Sequence, residues 1–210
     1  MKTVIRMQYV IAFLSFVMII NDCSDESNFN NLENNIQPNA IFLSQEKEAL
    51  LFMLEEEKLA RDTYQYLNEK WKLNQFANIK NSEQTHMNAI ETLLKQSNTP
   101  YTILPEGVFS VPELQSLYDT FKVDGSKSVV DALNIGATIE DLDIVDLQKY
   151  ISETQNTQII SVYQSLQCGS RNHLRSFTGS LVFYDASYTP QFLSLEEYNS
   201  IINGTQEQCR

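Results

Sequence analysis

Between residues 41 and 182, apolar residues recur at the three- and four-residue spacing of amphipathic helices, and this spacing predicts four long helices. In the first, Ser44 reads as the N-cap with Glu46 and Glu48 in the opening turn, and the stripe Leu50, Met53, Ala60, Tyr64, Leu67 leads to about Trp71. The second spans about Gln75 to Gln96, with Phe76, Ile79, Ile90 and Leu93 on one face. Pro100, Pro105 and Gly107 then break the pattern, and a short amphipathic helix from about Pro112 to Phe121 lies within this connection. A third long helix opens at Ser126 or Ser128 and ends near Ser152, carrying Val130, Leu133, Ala137, Ile144, Leu147 and Ile151. The fourth covers Thr157 to about Val182, with Ile159, Val162, Leu166 and Phe177, and a Leu195 to Ile202 segment follows Pro190. The expected fold class is all-α: four long helices with a long crossover that carries a short extra helix.

Every stripe is interrupted near its middle by polar residues. Glu57 interrupts the first, Glu83 and His86 the second, Glu140 the third with Asp143 one turn on, and Ser170 and His173 the fourth. Taken singly, each has an ordinary explanation. Glu57 belongs to the acidic run Glu55 to Glu57 and pairs with Arg61 at the surface; Glu83 and His86 form a surface hydrogen bond; Tyr64 is a packed core tyrosine. Taken together they conflict with burial, because several uncompensated carboxylates in one core must either take up protons or bind a cation. The chain has only two histidines, and both fall on core stripes. The two helix pairs also place their polar residues at similar offsets, a weak internal repeat that sets related groups about a pseudo-twofold axis.

Four segments then carry a resemblance. Glu57-Lys-Leu-Ala-Arg-Asp-Thr-Tyr64, Ser82-Glu-Gln-Thr-His86-Met, Gly136-Ala-Thr-Ile-Glu140-Asp-Leu-Asp143-Ile and Gly169-Ser-Arg-Asn-His173-Leu-Arg-Ser-Phe resemble the four ligand helices of rubrerythrin-type ferritin-like proteins. Over roughly residues 43–180 the chain is similar to a bacterial and archaeal ferritin-like family of unknown function. The resemblance implies a ferritin-like four-helix bundle in which Glu57 and Glu140 are terminal ligands, Glu83 bridges, His86 and His173 supply imidazoles, and Asp143 is an extra carboxylate. Iron is the implied metal, one ion or two, with Mn or Zn as substitutes, and O2 or peroxide the implied co-substrate. Ser170 departs from the pattern, since it stands where a second bridging Glu belongs. The implied activity is that of a ferroxidase or peroxidase-type oxidoreductase; the alternative is a metal-sequestering or metal-free interaction protein on the same scaffold. There is no Cys-x-x-Cys pair, so the rubredoxin-like electron-transfer domain of rubrerythrins is missing. Bundles of this kind often form homodimers, but no residue here specifies one.

Composition narrows the partners. With 27 acidic against 15 basic residues and a net charge of −12, the chain repels nucleic acid. Lys2 and Arg6 followed by the apolar run Val10 to Ile20 outline an export signal over residues 1–22. Cys23 with the acidic, serine-containing stretch after it resembles a bacterial lipoprotein maturation site, which predicts lipidation at Cys23, membrane attachment and a cell-envelope location. Ordinary cleavage and a retained helix are the alternatives. Residues 23–40 read as a flexible Asn-rich tether, 41–182 as the bundle and 183–210 as a C-terminal tail with a short helix. Cys168 and Cys209 are either a disulfide pair or two unrelated thiols.

Overall fold

The computed structural model describes residues 42–209, so the export signal, the tether and Cys23 lie outside the described residues. Among the described residues the fold is all-helical, with α1 (Ser44–Trp71), α2 (Asn74–Gln96), α3 (Pro112–Asp124), α4 (Val129–Glu153), α5 (Thr157–Val182) and α6 (Leu195–Ile202). Two hairpins form, α1 along α2 and α4 along α5, and they meet through α1 on α4 and α2 on α5. The crossover helix α3 lies on α1 and α4, and α6 lies on α5. No helix among the described residues is long and apolar enough to cross a membrane.

The helix ends follow capping chemistry, with one correction. Ser128 caps α4 by accepting the Asp131 N–H, and Asn156 caps α5 through Gln158 and Ile159. Ser44, expected to cap α1, is instead its first residue, and Leu43 holds the cap position. The Ser44 hydroxyl turns to Glu48, while the Glu46 carboxylate takes the Leu43 N–H at 2.8 Å and the Thr154 hydroxyl at 2.5 Å. A carboxylate thus does the cap's work and also ties the start of α1 to the end of α4.

Buried apolar side chains fall into two clusters. One gathers Tyr64, Leu67, Phe76, Phe121, Leu133 and Phe177; the other gathers Leu50, Met53, Met87, Ile90, Leu147 and Tyr163. The polar positions 57, 83, 140 and 173 fall between these sets along their helices.

Three ties hold the connections. Lys58 Nζ contacts Asp62 at 2.6 Å and donates to the carbonyls of Pro105 (3.0 Å) and Val108 (3.1 Å), while Asp62 accepts the Gly107 N–H at 2.9 Å. Gly107 has φ +74° and sits so close to Tyr118 that a Cβ would lie 2.9 Å from its hydroxyl, which requires glycine in this turn. At the other end of the chain, Cys168 and Cys209 form a disulfide, and Arg171 and Arg175 both bind Glu207. The third tie is Asp141, which is fully buried. It accepts the Tyr188 hydroxyl (2.7 Å) and the backbone N–H groups of Gln191 (2.6 Å), Phe192 (3.0 Å) and Leu193 (2.8 Å).

Asp141→Ala leaves four donors without their acceptor, the Tyr188 hydroxyl and the Leu193 N–H buried among them, and the expected loss is about 3 kcal/mol of unfolding free energy in urea denaturation. A loss below about 1 kcal/mol would show that these donors find water or other partners.

Candidate metal centre

Five side chains from the four long helices meet in the layer between the apolar clusters: Glu57 on α1, Glu83 and His86 on α2, Glu140 on α4 and His173 on α5. None is more than 9% exposed. The i, i+3 spacing of Glu83 and His86 puts carboxylate and imidazole on one face of α2, a turn apart. His86 Nδ1 lies 2.8 Å from Glu83 Oε2 and 3.1 Å from Glu57 Oε2. His173 Nδ1 lies 2.9 Å from Glu83 Oε1 and 3.4 Å from Glu140 Oε2. Glu83 therefore gives one oxygen to each histidine. The result is two triads that share it, Glu57–Glu83–His86 and Glu83–Glu140–His173, and within each triad the ligand atoms lie within 4.8 Å of one another. The two imidazole rings stand 5.6 Å apart and 25° from parallel.

Several of these atoms are close without being hydrogen-bonded. Glu57 Oε1, Glu83 Oε1 and His173 Nδ1 are buried and make no aligned hydrogen bond. Buried polar atoms left in this condition are costly, so pairing among themselves does not account for their convergence. The donor set, carboxylate oxygen with imidazole nitrogen, is one that holds divalent first-row cations.

Charge within the cluster follows from burial and proximity. Burial raises the Glu57 carboxyl to about 7, with His86 pulling in the opposite direction. Burial also raises Glu140 against the pull of His173. Glu83 moves the other way: burial opposes its ionisation, but His173 and then His86 outweigh it and hold the carboxyl well below the usual range. For the histidines, burial disfavours the imidazolium, yet Glu57 and Glu83 push His86 well up, and Glu83 and Glu140 push His173 up to about 10. The cluster thus draws positive charge to its middle.

The surroundings set this geometry. Gly169 on α5 leaves room for His86, because a Cβ there would lie 2.7 Å from His86 Nε2. Tyr64 is a packed core tyrosine, its ring 5.3 Å from Phe177 and 5.9 Å from Phe76, and its hydroxyl also donates to Glu140 Oε1 at 2.5 Å. Burial and then Glu140 raise that phenol well above its usual range. Asp143 is buried beside the cluster but belongs to neither triad; Ser170 donates to its Oδ2, and its Oδ1 has no partner. Burial, then Glu57 and Glu56, raise the Asp143 carboxyl well up. Arg61 does not pair with Glu57; it binds Asp62 and Gln84, each at 2.7 Å.

The helical pattern passed over Glu56, which is as deeply buried as Glu57, with neither carboxylate oxygen hydrogen-bonded. The signal that points to it is that α1 packs on α2, α3 and α4, so its buried face is wider than one stripe.

Comparison with known proteins follows the same boundaries. Residues 46–205 match a family described as an uncharacterized protein domain, DUF2202. The uncharacterized protein MJ0754 of Methanocaldococcus jannaschii is 52% identical over 166 residues, which cover 78% of this chain and 90% of that protein. The crystal structure of the hypothetical protein MJ0754 from Methanococcus jannaschii DSM 2661 superposes with a TM-score of 0.78 at 49% identity, covering 85% of this chain and 100% of that one. The family match takes in all five cluster residues and almost the whole of the helical part, and the chain belongs to the DUF2202 family.

Proposed function

We propose that the chain is a ferritin-like four-helix bundle, related to the rubrerythrins, that binds iron in its core and acts as a ferroxidase or peroxidase-type oxidoreductase of the cell envelope. The observation that carries this reading is Glu83: one buried carboxylate shared by the chain's only two histidines, with unpartnered oxygen and nitrogen atoms around it. One ion would be held by Glu57, Glu83 and His86, and a second by Glu83, Glu140 and His173. Iron bound there supplies one-electron oxidation and reduction toward O2 or peroxide. The chain's own groups bind, orient and dry the site. Tyr64 fixes Glu140 through its hydroxyl, and the apolar clusters on both sides exclude water. Asp143, its Oδ2 held by Ser170, keeps a second oxygen free beside the centre.

An exported location draws support from the Cys168–Cys209 disulfide, since such bonds persist in oxidising compartments. Attachment through a lipid on Cys23 remains part of the same reading, carried by the N-terminal sequence alone. Metal sequestration without turnover is the competing reading, and Ser170 favours it by removing one bridging carboxylate.

Anaerobic loading of the metal-free protein with Fe(II) should give about two ions per chain, as in two-metal carboxylate bundles. Glu83→Ala should abolish both, because both triads share that residue, whereas His86→Ala should keep the half built on His173. No binding by the parent protein would overturn the proposal. Disappearance of Fe(II) over repeated cycles of O2 or peroxide addition separates an oxidoreductase from a store. Gly169→Ala gains about 1 kcal/mol of helix propensity, yet its Cβ displaces His86. Thermal unfolding should therefore show no stabilisation, and metal titration should show weakened binding at the Glu57–His86 half.

A further inference from the structure

The α1/α4 interface holds carboxylates that neither the fold nor the central cluster requires. Glu56 is 2% exposed, and both of its oxygens are buried without a hydrogen-bond donor. An unpaired buried carboxylate contributes nothing favourable to folding, and an apolar residue of similar size would fit the interface better. Facing it across the interface is another acid, Asp146 on α4, which adds to burial in raising the Glu56 carboxyl. Acids that face one another across a buried interface repel, and a divalent cation passing between them removes that repulsion.

The arrangement is graded from solvent to core. Asp146 is half-buried and reaches solvent. Glu56 is fully buried behind it, and next to Glu56 in sequence is Glu57, already in the central cluster. Asp143 stands one turn before Asp146 on α4, buried, with Oδ1 unpartnered. The nearby cations form no ion pair with these acids: the Lys149 ammonium favours the charged forms of Glu56 and Asp146 only at a distance, standing over the Tyr150 ring at 4.9 Å, and Lys58 is bound to Asp62 and the crossover. Both compact triads that could hold a metal among the described residues lie in the central cluster, so these acids form a succession of single ligands and not a closed cage. A succession of this kind suits transit, since each position binds weakly enough to release its ion inward.

We propose that Asp146, Glu56 and Asp143 form a carboxylate station between α1 and α4 that takes divalent cations from solvent and passes them to Glu57 and the central cluster. The proposal rests on the central cluster binding metal, as read above. It makes the divalent ion a substrate that reaches the buried centre through this face.

Stopped-flow mixing of the metal-free full chain with Co(II) under argon tests it, with the visible absorption of the bound ion reporting arrival at the centre. Glu56→Gln and Asp146→Asn should each slow filling by about tenfold, the scale on which focused charge raises the rate of ion capture. Final absorbance and stoichiometry should match the parent, because the central ligands are untouched. Asp146→Glu should restore the parent rate, and raised ionic strength should slow the parent more than either variant. Full occupancy in both variants at rates within about twofold of the parent, short of any focusing effect, overturns the route and leaves the central site standing. A parent chain that takes up no Co(II) overturns both. Should Glu56→Gln fail to fold, half-exposed Asp146 carries the test alone.

Discussion

The sharing of Glu83 between His86 and His173 is the constraint on which the rest of the structure depends. Glu83 and His86 come from α2 and His173 from α5, so one carboxylate fixes the register of the two hairpins against each other. Glu57 and Glu140 complete the layer from α1 and α4. Desolvating this many ionisable groups is costly, and the histidines compensate only part of that cost. The apolar clusters on either side supply the burial that holds the layer closed, with Tyr64 belonging to both the packing and the polar layer.

The connections are anchored close to the cluster residues in sequence. Lys58 directly follows Glu57 and, with Asp62, grips the crossover; Asp141 directly follows Glu140 and grips the stretch before α6. Cys168, Arg171 and Asn172 flank His173 on α5 and hold the C-terminal tail through Cys209 and Glu207. An anchored neighbour limits how far a helix can slide or rotate, so the loops add to the positional accuracy of the cluster while leaving its chemistry to other side chains.

Much of the layout was legible in the sequence because it depends on local periodicity. The bounds of α5 and α6, a serine start to α4 at Ser126 or Ser128, of which Ser128 is the cap, and the inward direction of Glu57, Glu83, His86, Glu140 and His173 all follow from stripes and caps. What escaped depends on contacts between distant segments. The start of α1 is set by Glu46 bonding back to Leu43 and across to Thr154, which no N-cap pattern encodes. The acceptor role of Asp141 needs amides from residues 191–193, and Lys58 needs carbonyls at 105 and 108. Glu56 escaped because a single stripe assigns one buried face to α1, whereas that helix is covered on more than one side. Gly169 offers no chemistry to notice, only clearance for the His86 ring.

The two halves of the cluster are related but not equal, and the inequality bears on how firmly ions would be held. The Glu140 half is braced by the Tyr64 hydroxyl, whereas the Glu57 half adjoins Glu56 and the α1/α4 acids. Ser170, where the rubrerythrin resemblance puts a second shared carboxylate, is a neutral hydroxyl within hydrogen-bonding reach of both Asp143 and the Leu166 carbonyl. A hydroxyl in that place lowers the negative charge facing the centre and leaves Glu83 as the one carboxylate common to both triads. Fewer anionic ligands mean weaker retention of a divalent ion, and the weakening falls beside Asp143, on the side where the acids lead outward. In the proposed reading, that asymmetry separates a half that holds its ion from a half that exchanges it, which is what an iron-handling centre needs and a purely structural metal site does not.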